Sequence, residues 1–210
     1  MGGKYILFEG IDGCGKSTQI QLFKEYLSSI NYPEKEVILI REPGGGILAE
    51  KIRSILLDKK NLFITPKAEL LLFQAARSQY FEESIYNWLN EGKLLLADRN
   101  YYSSIAYQGF GRGMDISTIK NMNEFATNNF KPNVSLIFDL PVELSLTRTG
   151  KQNGKDRFES EGESFFNKVR NGYLNMHTIY PDHNIHIIDS NRDKLEVAQD
   201  VQNILKKYIL

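Results

Sequence analysis

Cysteine is nearly absent from this sequence, and surplus charge and long apolar runs are absent altogether. The 210 residues include one cysteine, which excludes an intrachain disulfide and suits a reducing compartment such as the cytoplasm. Basic and acidic residues number 26 each, so the net charge of zero gives no sign of a nucleic-acid groove or a membrane-binding surface. No apolar run reaches the roughly 20 residues of a membrane span, and a strand is predicted where a signal peptide would have its apolar core. We therefore expect a cytoplasmic protein with neither a nucleic-acid polymer nor a membrane as its partner.

Short apolar runs alternate along the chain with segments of helical periodicity. The runs that predict strands are residues 5–8, 37–40, 94–97, 134–138 and 185–188. The segments that predict helices are residues 16–29, 47–57, 67–90, 116–128, 142–148, 163–180 and 194–208. Continuous apolar strands that alternate with helices are typical of a parallel sheet covered on both faces. We expect an α/β fold in a single domain, residues 1–210, because this length suits one hydrophobic core.

The segment between the first predicted strand and helix fits the phosphate-binding pattern G-x-x-x-x-G-K-[ST]. Glycines allow backbone N–H groups to turn toward a ligand, and the start of the next helix adds partial positive charge. Lys16 is predicted to reach the β- and γ-phosphates of a nucleotide, and the Ser17 hydroxyl to bind Mg²⁺. The predicted nucleotide-binding residues are Gly10, Ile11, Asp12, Gly13, Cys14, Gly15, Lys16, Ser17 and Thr18.

Charged residues follow the carboxyl ends of the second and third predicted strands. Arg41 and Glu42 follow the second strand, and Asp98 and Arg99 follow the third. Ligands of open parallel sheets bind beyond these strand ends, so the four residues are expected in one site, with Asp98 joining Ser17 at the metal. The alternative for each charge is a structural ion pair, such as Arg41 with Glu42 or Asp98.

Helical spacing brings two further groups of side chains together. Phe73 and Arg77 are one helical turn apart, which places an aromatic plane beside a guanidinium, as a nucleobase and its polar edge would require. Ser104, Tyr107 and Gln108 follow the third strand and share another face. Core packing is the alternative for Phe73 and Tyr107, whereas a buried amide such as that of Gln108 needs partners.

The motifs that would mark a nucleotide-gated switch are missing. After the phosphate loop the sequence has neither Asp-x-x-Gly nor Asn-Lys-x-Asp, since Asn167-Lys168 continues with Val169-Arg170. Arg99 stands where a motor ATPase would have a hydrolytic carboxylate, and an arginine suits an anionic acceptor better than a water molecule. A small kinase is therefore favoured over a switch or an ATPase, and an ATP-binding regulatory module without catalysis is a further alternative.

With these motifs in order, the sequence resembles the bacterial type of thymidylate kinase over essentially its whole length. The motifs are FEGIDGCGKST at residues 8–18, REPGG at 41–45, FQAAR at 73–77, DR at 98–99 and SSIAYQG at 103–109. The resemblance implies the fold of P-loop nucleoside monophosphate kinases, with a five-stranded parallel sheet, flanking helices and a small lid, usually as a homodimer. It implies transfer of the γ-phosphoryl group of ATP to dTMP, giving dTDP, with Mg²⁺.

The resemblance also implies how the acceptor nucleotide is bound. Phe73 would stack on thymine and Arg77 would contact the edge of the base. Ser104 and Gln108 would lie near the base and the sugar. Tyr107 would crowd the 2′ position and so favour deoxyribose.

At the reacting end, the resemblance implies that Arg99 holds the acceptor phosphate, while Glu42 and Arg53 line the monophosphate site. Asp12 would lie between the donor phosphates and the 3′-hydroxyl of the sugar. Because the nucleophile is an anionic phosphate oxygen, the protein must supply cations rather than a general base. Lys16 and Arg99 are the expected catalytic cations, and Arg41 is a further candidate.

The lid is expected at about residues 148–158, where a polar and glycine-containing stretch joins two predicted helices. In the bacterial type of the family, lid arginines act at the transition state because the phosphate loop has none. Arg148 is the favoured candidate for this role, and Arg157 is the second. An ordinary surface loop is the alternative for this stretch.

A deoxynucleoside kinase is the competing enzyme hypothesis. Glu42 would then act as a general base on the 5′-hydroxyl of thymidine. The presence of Arg53, Arg77 and Arg99 favours a monophosphate acceptor instead, because a neutral nucleoside needs fewer cations.

Overall fold

The computed structural model of the protein describes residues 2–33, 36–150, 157–158 and 161–209. Its strands are β1 (Lys4–Glu9), β2 (Val37–Arg41), β3 (Leu94–Asp98), β4 (Val134–Asp139) and β5 (Ile185–Asp189). They form a five-stranded sheet in the order β2-β3-β1-β4-β5, and every pairing is parallel. The predicted α/β fold is confirmed, and each predicted strand extends by one residue at its carboxyl end.

Helices connect the strands on both sides of the sheet. They are α1 (Lys16–Ser29), α2 (Ile47–Leu57), α3 (Pro66–Tyr80), α4 (Tyr86–Asn90), α5 (Tyr101–Ser104), α6 (Ile116–Ala126), α7 (Val142–Thr149), α8 (Glu163–Leu174), α9 (Met176–Ile179) and α10 (Lys194–Ile209). Among the described residues, none of the helices combines the length and the apolar character that crossing a membrane would require.

Two predicted helices are interrupted, and helical segments outside the predicted ranges also form. A π-helical turn, Phe81–Ile85, separates α3 from α4 within the predicted helix 67–90. The predicted helix 163–180 is divided at Asn175, where α8 ends and α9 begins. The unpredicted segments include a 3₁₀-helical turn, Lys59–Asn61, and α5 with the π-helical turn Ile105–Gly111 that follows it.

The three central strands are buried nearly throughout, as a sheet covered on both faces requires. The edge strands β2 and β5 are more exposed, with Leu39 and Ile187 open to solvent. All five strands point the same way, so their carboxyl ends lie along one edge of the sheet. This edge carries the phosphate loop after β1 and the Asp98-Arg99 pair after β3.

Candidate functional site

The phosphate loop connects β1 directly to α1. Gly10, Gly13 and Gly15 all have positive φ angles, of 139°, 71° and 97°, which a residue with a Cβ rarely adopts. The ammonium of Lys16 is buried and donates to the carbonyl oxygens of Gly10 and Ile11, both at 3.1 Å. The loop therefore wraps around the lysine at the start of a helix, which is the arrangement that binds phosphates.

Ser17 and Asp98 meet beside this loop, as the sequence predicted. The Ser17 hydroxyl donates to Asp98 Oδ2 at 3.1 Å. Mg²⁺ prefers oxygen ligands and binds through one or two protein groups together with substrate phosphates. The Ser17 hydroxyl and the Asp98 carboxylate, placed together beside the loop, fit such a partly protein-held ion.

A cleft beyond the strand ends brings the predicted acceptor residues together. It holds about 640 Å³ of empty space, counting the part that opens to solvent. Nine of its lining residues were singled out from sequence: Asp12, Glu42, Arg53, Phe73, Arg77, Arg99, Ser104, Tyr107 and Gln108. Five others were not: Pro43, Leu57, Asn100, Ser103 and Phe158.

The guanidinium of Arg77 is buried and fixed from several sides. Its Nε donates to Glu42 Oε2 at 2.8 Å, and one terminal nitrogen donates to Gln74 Oε1 at 2.9 Å and Asn123 Oδ1 at 3.0 Å. The other terminal nitrogen donates to Ser104 Oγ at 3.1 Å. Because a guanidinium has five N–H groups, one of them is left on that nitrogen for a ligand in the cleft.

Glu42 is buried against Arg77 and has a second oxygen, Oε1, that is buried without a hydrogen-bond partner. Burial raises the pKa of Glu42, and the guanidinium of Arg77 opposes the rise. Because the other oxygen, Oε2, accepts from Arg77, the Glu42 carboxylate orients that guanidinium.

Arg99 stands between the cleft and the phosphate loop. Its backbone is left-handed, with a φ of 69°, an uncommon conformation outside glycine that is often found at functional sites. Its guanidinium donates to Asp12 Oδ1 at 2.7 Å and to the Tyr173 hydroxyl at 2.8 Å. It also lies 5.4 Å from the ring centre of Tyr107. These contacts hold the positive charge of Arg99 between the cleft and the phosphate loop.

A buried carboxylate, Glu9, supports Arg99 from behind. Glu9 Oε1 accepts from the backbone N–H groups of Asn100 at 2.8 Å and Ser103 at 3.2 Å. Glu9 Oε2 accepts from the hydroxyls of Ser103 at 2.8 Å and Tyr173 at 3.0 Å. Burial raises the pKa of Glu9, while Arg99 and these donors oppose the rise. Sequence reasoning did not select Glu9 or Tyr173, although an acidic residue at the end of an apolar strand was a signal for Glu9.

Aromatic rings form part of the cleft lining. The ring centres of Phe73 and Phe158 are 6.0 Å apart, and Tyr107 meets Phe158 edge-on at 5.9 Å. The Tyr107 hydroxyl is buried with no hydrogen-bond partner, and burial raises its pKa well above the usual value. Phe158, which follows Arg157 in sequence, had no signal that distinguished it from a surface residue.

The two candidate lid arginines have different surroundings. Arg148 is at the end of α7, and its guanidinium donates to the carbonyl oxygen of Gly13 in the phosphate loop at 3.4 Å. Arg157 is buried, lies 2.6 Å from Glu69 Oε2, and donates to the carbonyl oxygen of Leu56 at 2.9 Å. These contacts give Arg148 a place at the loop and tie Arg157 to helices α2 and α3. The rest of the predicted lid, residues 151–156, lies outside the described residues.

Arg41, a possible further cation, forms an ion pair that the sequence did not predict. Its guanidinium lies 3.0 Å from Glu50 rather than against Glu42 or Asp98. The pKa of Glu50 is lowered, first by the backbone N–H of Gly45 and then by Arg41. Arg41 therefore fits the structural alternative. Arg53 lines the cleft and donates to the carbonyl oxygen of Pro43 at 2.7 Å.

Comparisons with known proteins agree with this geometry. The family model for thymidylate kinase matches residues 8–201. Thymidylate kinase of Thermoanaerobacter sp. (strain X514) is 43% identical over 209 residues, which is 100% of both chains. That of Thermosipho africanus is 45% identical over 205 residues, 98% of each chain. A crystal structure of thymidylate kinase from Ehrlichia chaffeensis, 33% identical, matches with a TM-score of 0.79 over 98% of this chain and 100% of that one. This chain belongs to the thymidylate kinase family.

Proposed function

We propose that this protein transfers the γ-phosphoryl group of ATP to dTMP, giving dTDP, with Mg²⁺ as cofactor. Membership of the thymidylate kinase family supports the reaction. The observation that carries the proposal is the position of Arg99, whose guanidinium lines the acceptor cleft and donates to Asp12 of the phosphate loop. A cation that lies between the acceptor cleft and the phosphate loop suits a reaction in which two phosphates must be brought together. A deoxynucleoside kinase with Glu42 as base is not favoured.

Catalysis in this proposal is an electrostatic problem. The attacking group is a phosphate oxygen of dTMP, which is already anionic, so the barrier comes from aligning two negatively charged groups. Lys16 on the donor side and Arg99 on the acceptor side reduce this repulsion. Two unit charges 4 Å apart interact by about 1 kcal/mol in water and about 4 kcal/mol at the effective dielectric of a protein surface site, so the partly buried position of Arg99 strengthens its effect.

Ser17 and Asp98 would hold Mg²⁺, and the ion when bound neutralises charge on the donor phosphates. Residues 10–18 bind ATP in this proposal. Asp12 orients Arg99 and lies near the 3′-hydroxyl of the acceptor. Arg148 is the lid cation that we favour at the transition state, because it already contacts the phosphate loop.

The other end of the cleft would hold the nucleoside part of dTMP. Phe73 provides the plane on which thymine stacks, and Arg77 donates its remaining N–H to the edge of the base. Tyr107 is buried in the cleft lining, and in this proposal it crowds the 2′ position and so favours deoxyribose. Ser104 and Gln108 complete the site near the base and sugar, and Glu42 and Arg53 line its phosphate side.

We further propose that the chain acts as one cytoplasmic kinase domain and forms a homodimer. Helix α3 packs against both α2 and α6. On or near these three helices, large apolar side chains are exposed: Ile47, Leu48, Ile55, Leu62, Phe63, Leu71 and Phe125. Phe63 is 79% exposed and Phe125 is 86% exposed, which is costly for side chains that face water.

Sedimentation equilibrium should give twice the chain mass, and Phe125→Glu should give monomers. Leu195→Glu on the distant helix α10 should stay dimeric.

An ADP-release assay with different acceptors tests the reaction. With ATP and Mg²⁺, we expect turnover with dTMP that exceeds turnover with dUMP, dCMP and thymidine. Faster turnover of thymidine than of dTMP would establish the nucleoside kinase instead. Binding of ATP with no turnover of any nucleoside monophosphate would identify a regulatory module and refute the proposal.

A further inference from the structure

A buried carboxylate on α3, Glu69, lies behind the base end of the cleft and has no role in the mechanism above. Its Oε1 accepts from the side-chain amide nitrogen of Gln108 at 2.7 Å. Its Oε2 lies 2.6 Å from a guanidinium nitrogen of Arg157 and 3.3 Å from one of Arg112. Two guanidinium groups therefore face this carboxylate, whose side chain is only 1% exposed.

An ionised carboxylate accepts hydrogen bonds and has none to donate. Only the NH₂ group of the Gln108 amide can therefore face Glu69. The orientation of a glutamine amide is normally decided by its hydrogen-bond partners, and here the partner permits one orientation. Because Gln108 lines the cleft, its oxygen, Oε1, is the amide group left for a ligand there.

The cleft then offers a nucleobase one defined hydrogen-bond donor and one defined acceptor. Arg77 retains one N–H donor after its hydrogen bonds to Glu42, Gln74, Asn123 and Ser104. Gln108 offers an acceptor. Thymine has a complementary edge, because its O4 accepts and its N3–H donates. Cytosine inverts both groups, since its exocyclic amine donates and its N3 accepts.

We propose that Glu69 is a positioning residue that selects thymine over cytosine by holding the amide of Gln108 in one orientation. This inference rests on the proposed function, since it concerns the acceptor of the same reaction. A wrong base would leave a buried donor or acceptor unpaired, and sites built on hydrogen bonds reject such analogues strongly.

The decisive variant is Glu69→Gln. A glutamine at this position has nearly the same shape and offers either a donor or an acceptor, so the Gln108 amide is free to turn its NH₂ group toward the cleft. We expect the ratio of kcat/KM for dCMP to kcat/KM for dTMP to rise at least tenfold over wild type. A purely structural role would lower both values together and leave the ratio unchanged.

Two further variants separate the possible outcomes. Glu161→Gln makes the same chemical change in the other acidic partner of Arg112, without a contact to Gln108, and should keep the wild-type ratio within twofold. Glu69→Asp keeps an acceptor-only group and should retain the preference for dTMP even where turnover falls. An unchanged ratio in folded Glu69→Gln overturns the inference.

If Glu69→Gln does not fold, as judged by thermal melting, Gln108→Met provides the test. This change removes the amide, and discrimination against dCMP should fall at least tenfold. A Gln108→Met enzyme that discriminates as well as wild type overturns the inference. Failure of the wild-type enzyme to phosphorylate dTMP would refute the proposed function itself, which keeps the two outcomes distinguishable.

Discussion

The hydroxyl of Tyr173 offers a direct test of how the fold orients Arg99. This hydroxyl accepts from the Arg99 guanidinium at 2.8 Å and donates to Glu9 Oε2 at 3.0 Å. Tyr173→Phe removes the hydroxyl and keeps the ring, which packs edge-on against Tyr107 with ring centres 6.4 Å apart. The variant therefore cuts one link between the buried carboxylate and the guanidinium and leaves no large cavity. A second link remains through the Ser103 hydroxyl, which accepts from Arg99 at 3.4 Å and donates to Glu9 Oε2 at 2.8 Å.

The size of the effect follows from the charges involved. A hydrogen bond to a charged group contributes roughly 1.5–3 kcal/mol, and the Tyr173 hydroxyl is bonded to a charged group on each side. Since about 1.4 kcal/mol corresponds to a factor of ten, the loss of orientation at Arg99 is expected to lower kcat/KM for dTMP by about 10- to 100-fold. The KM for ATP should change little, because the contacts of Lys16 with its loop are untouched.

The assay is steady-state ADP release with dTMP varied at saturating ATP. Tyr86→Phe is the matched control, because the Tyr86 hydroxyl donates to the Thr127 carbonyl oxygen at 2.6 Å and does not line the cleft. The control should keep wild-type kcat/KM for dTMP. If folded Tyr173→Phe also stays within twofold of wild type, Arg99 is oriented without this link and the reasoning is refuted.

Three further predictions concern the lid, pH and the backbone. Arg148→Ala should lower kcat strongly and leave dTMP binding by calorimetry nearly unchanged, and normal turnover in both Arg148→Ala and Arg157→Ala would exclude these arginines as lid catalysts. Burial lowers the pKa of His183 from 6.5 to about 4, so between these pH values the unfolded chain binds a proton that the folded protein does not. The Tm should therefore fall as the pH drops below 6.5, and less steeply in His183→Asn; equal slopes would contradict this. Gly45 has a φ of 100°, and a Cβ there would lie 2.1 Å from the Tyr80 ring. Gly45→Ala should therefore lower the free energy of unfolding by roughly 1–3 kcal/mol or more, measured by denaturant unfolding, and a loss under about 0.5 kcal/mol would contradict this.

The strands could be predicted from sequence because burial on both faces requires continuous apolar runs. Each strand nevertheless continues for one residue past its apolar run, to Glu9, Arg41, Asp98, Asp139 and Asp189. A residue with a charged side chain at a strand end still forms the backbone hydrogen bonds of the sheet. The apolar pattern reflects side chains alone and therefore does not include this residue. The pattern therefore ends one residue early at the edge of the sheet where function is concentrated.

The interruptions of the helices were not predictable in the same way. A π-helical turn such as Phe81–Ile85 inserts an extra residue that tertiary packing has to accommodate, and the local sequence remains compatible with an ordinary helix. The spacing argument for Ser104, Tyr107 and Gln108 still succeeded in placing them together in the cleft, although a π-helical turn begins at Ile105. Residues three and four apart remain close neighbours through such a turn.

The lining of the cleft was largely predictable, whereas the residues behind the lining were not. Motif spacing and strand ends identified many of the side chains that line the cleft. Glu9 and Tyr173 are 164 positions apart, and Glu69 and Gln108 are 39 apart, so only the fold brings each pair together. A single sequence carries no periodicity that links such distant positions.

The acidic residues around the cleft are better understood as guides for the arginines than as bases. Arg77 is paired with Glu42 and Arg99 with Asp12, and the first pair is almost wholly buried. Burying two charges has a desolvation cost that their attraction seldom exceeds, so such a pair is weak evidence for stability. The clear effect of such a pair is geometric. A guanidinium whose N–H groups are mostly hydrogen-bonded has a fixed plane, and the N–H that remains points in a defined direction toward a ligand. An acceptor that brings its own anionic oxygen needs cations in fixed positions, and removing one acid would cost both the buried charge balance and that orientation.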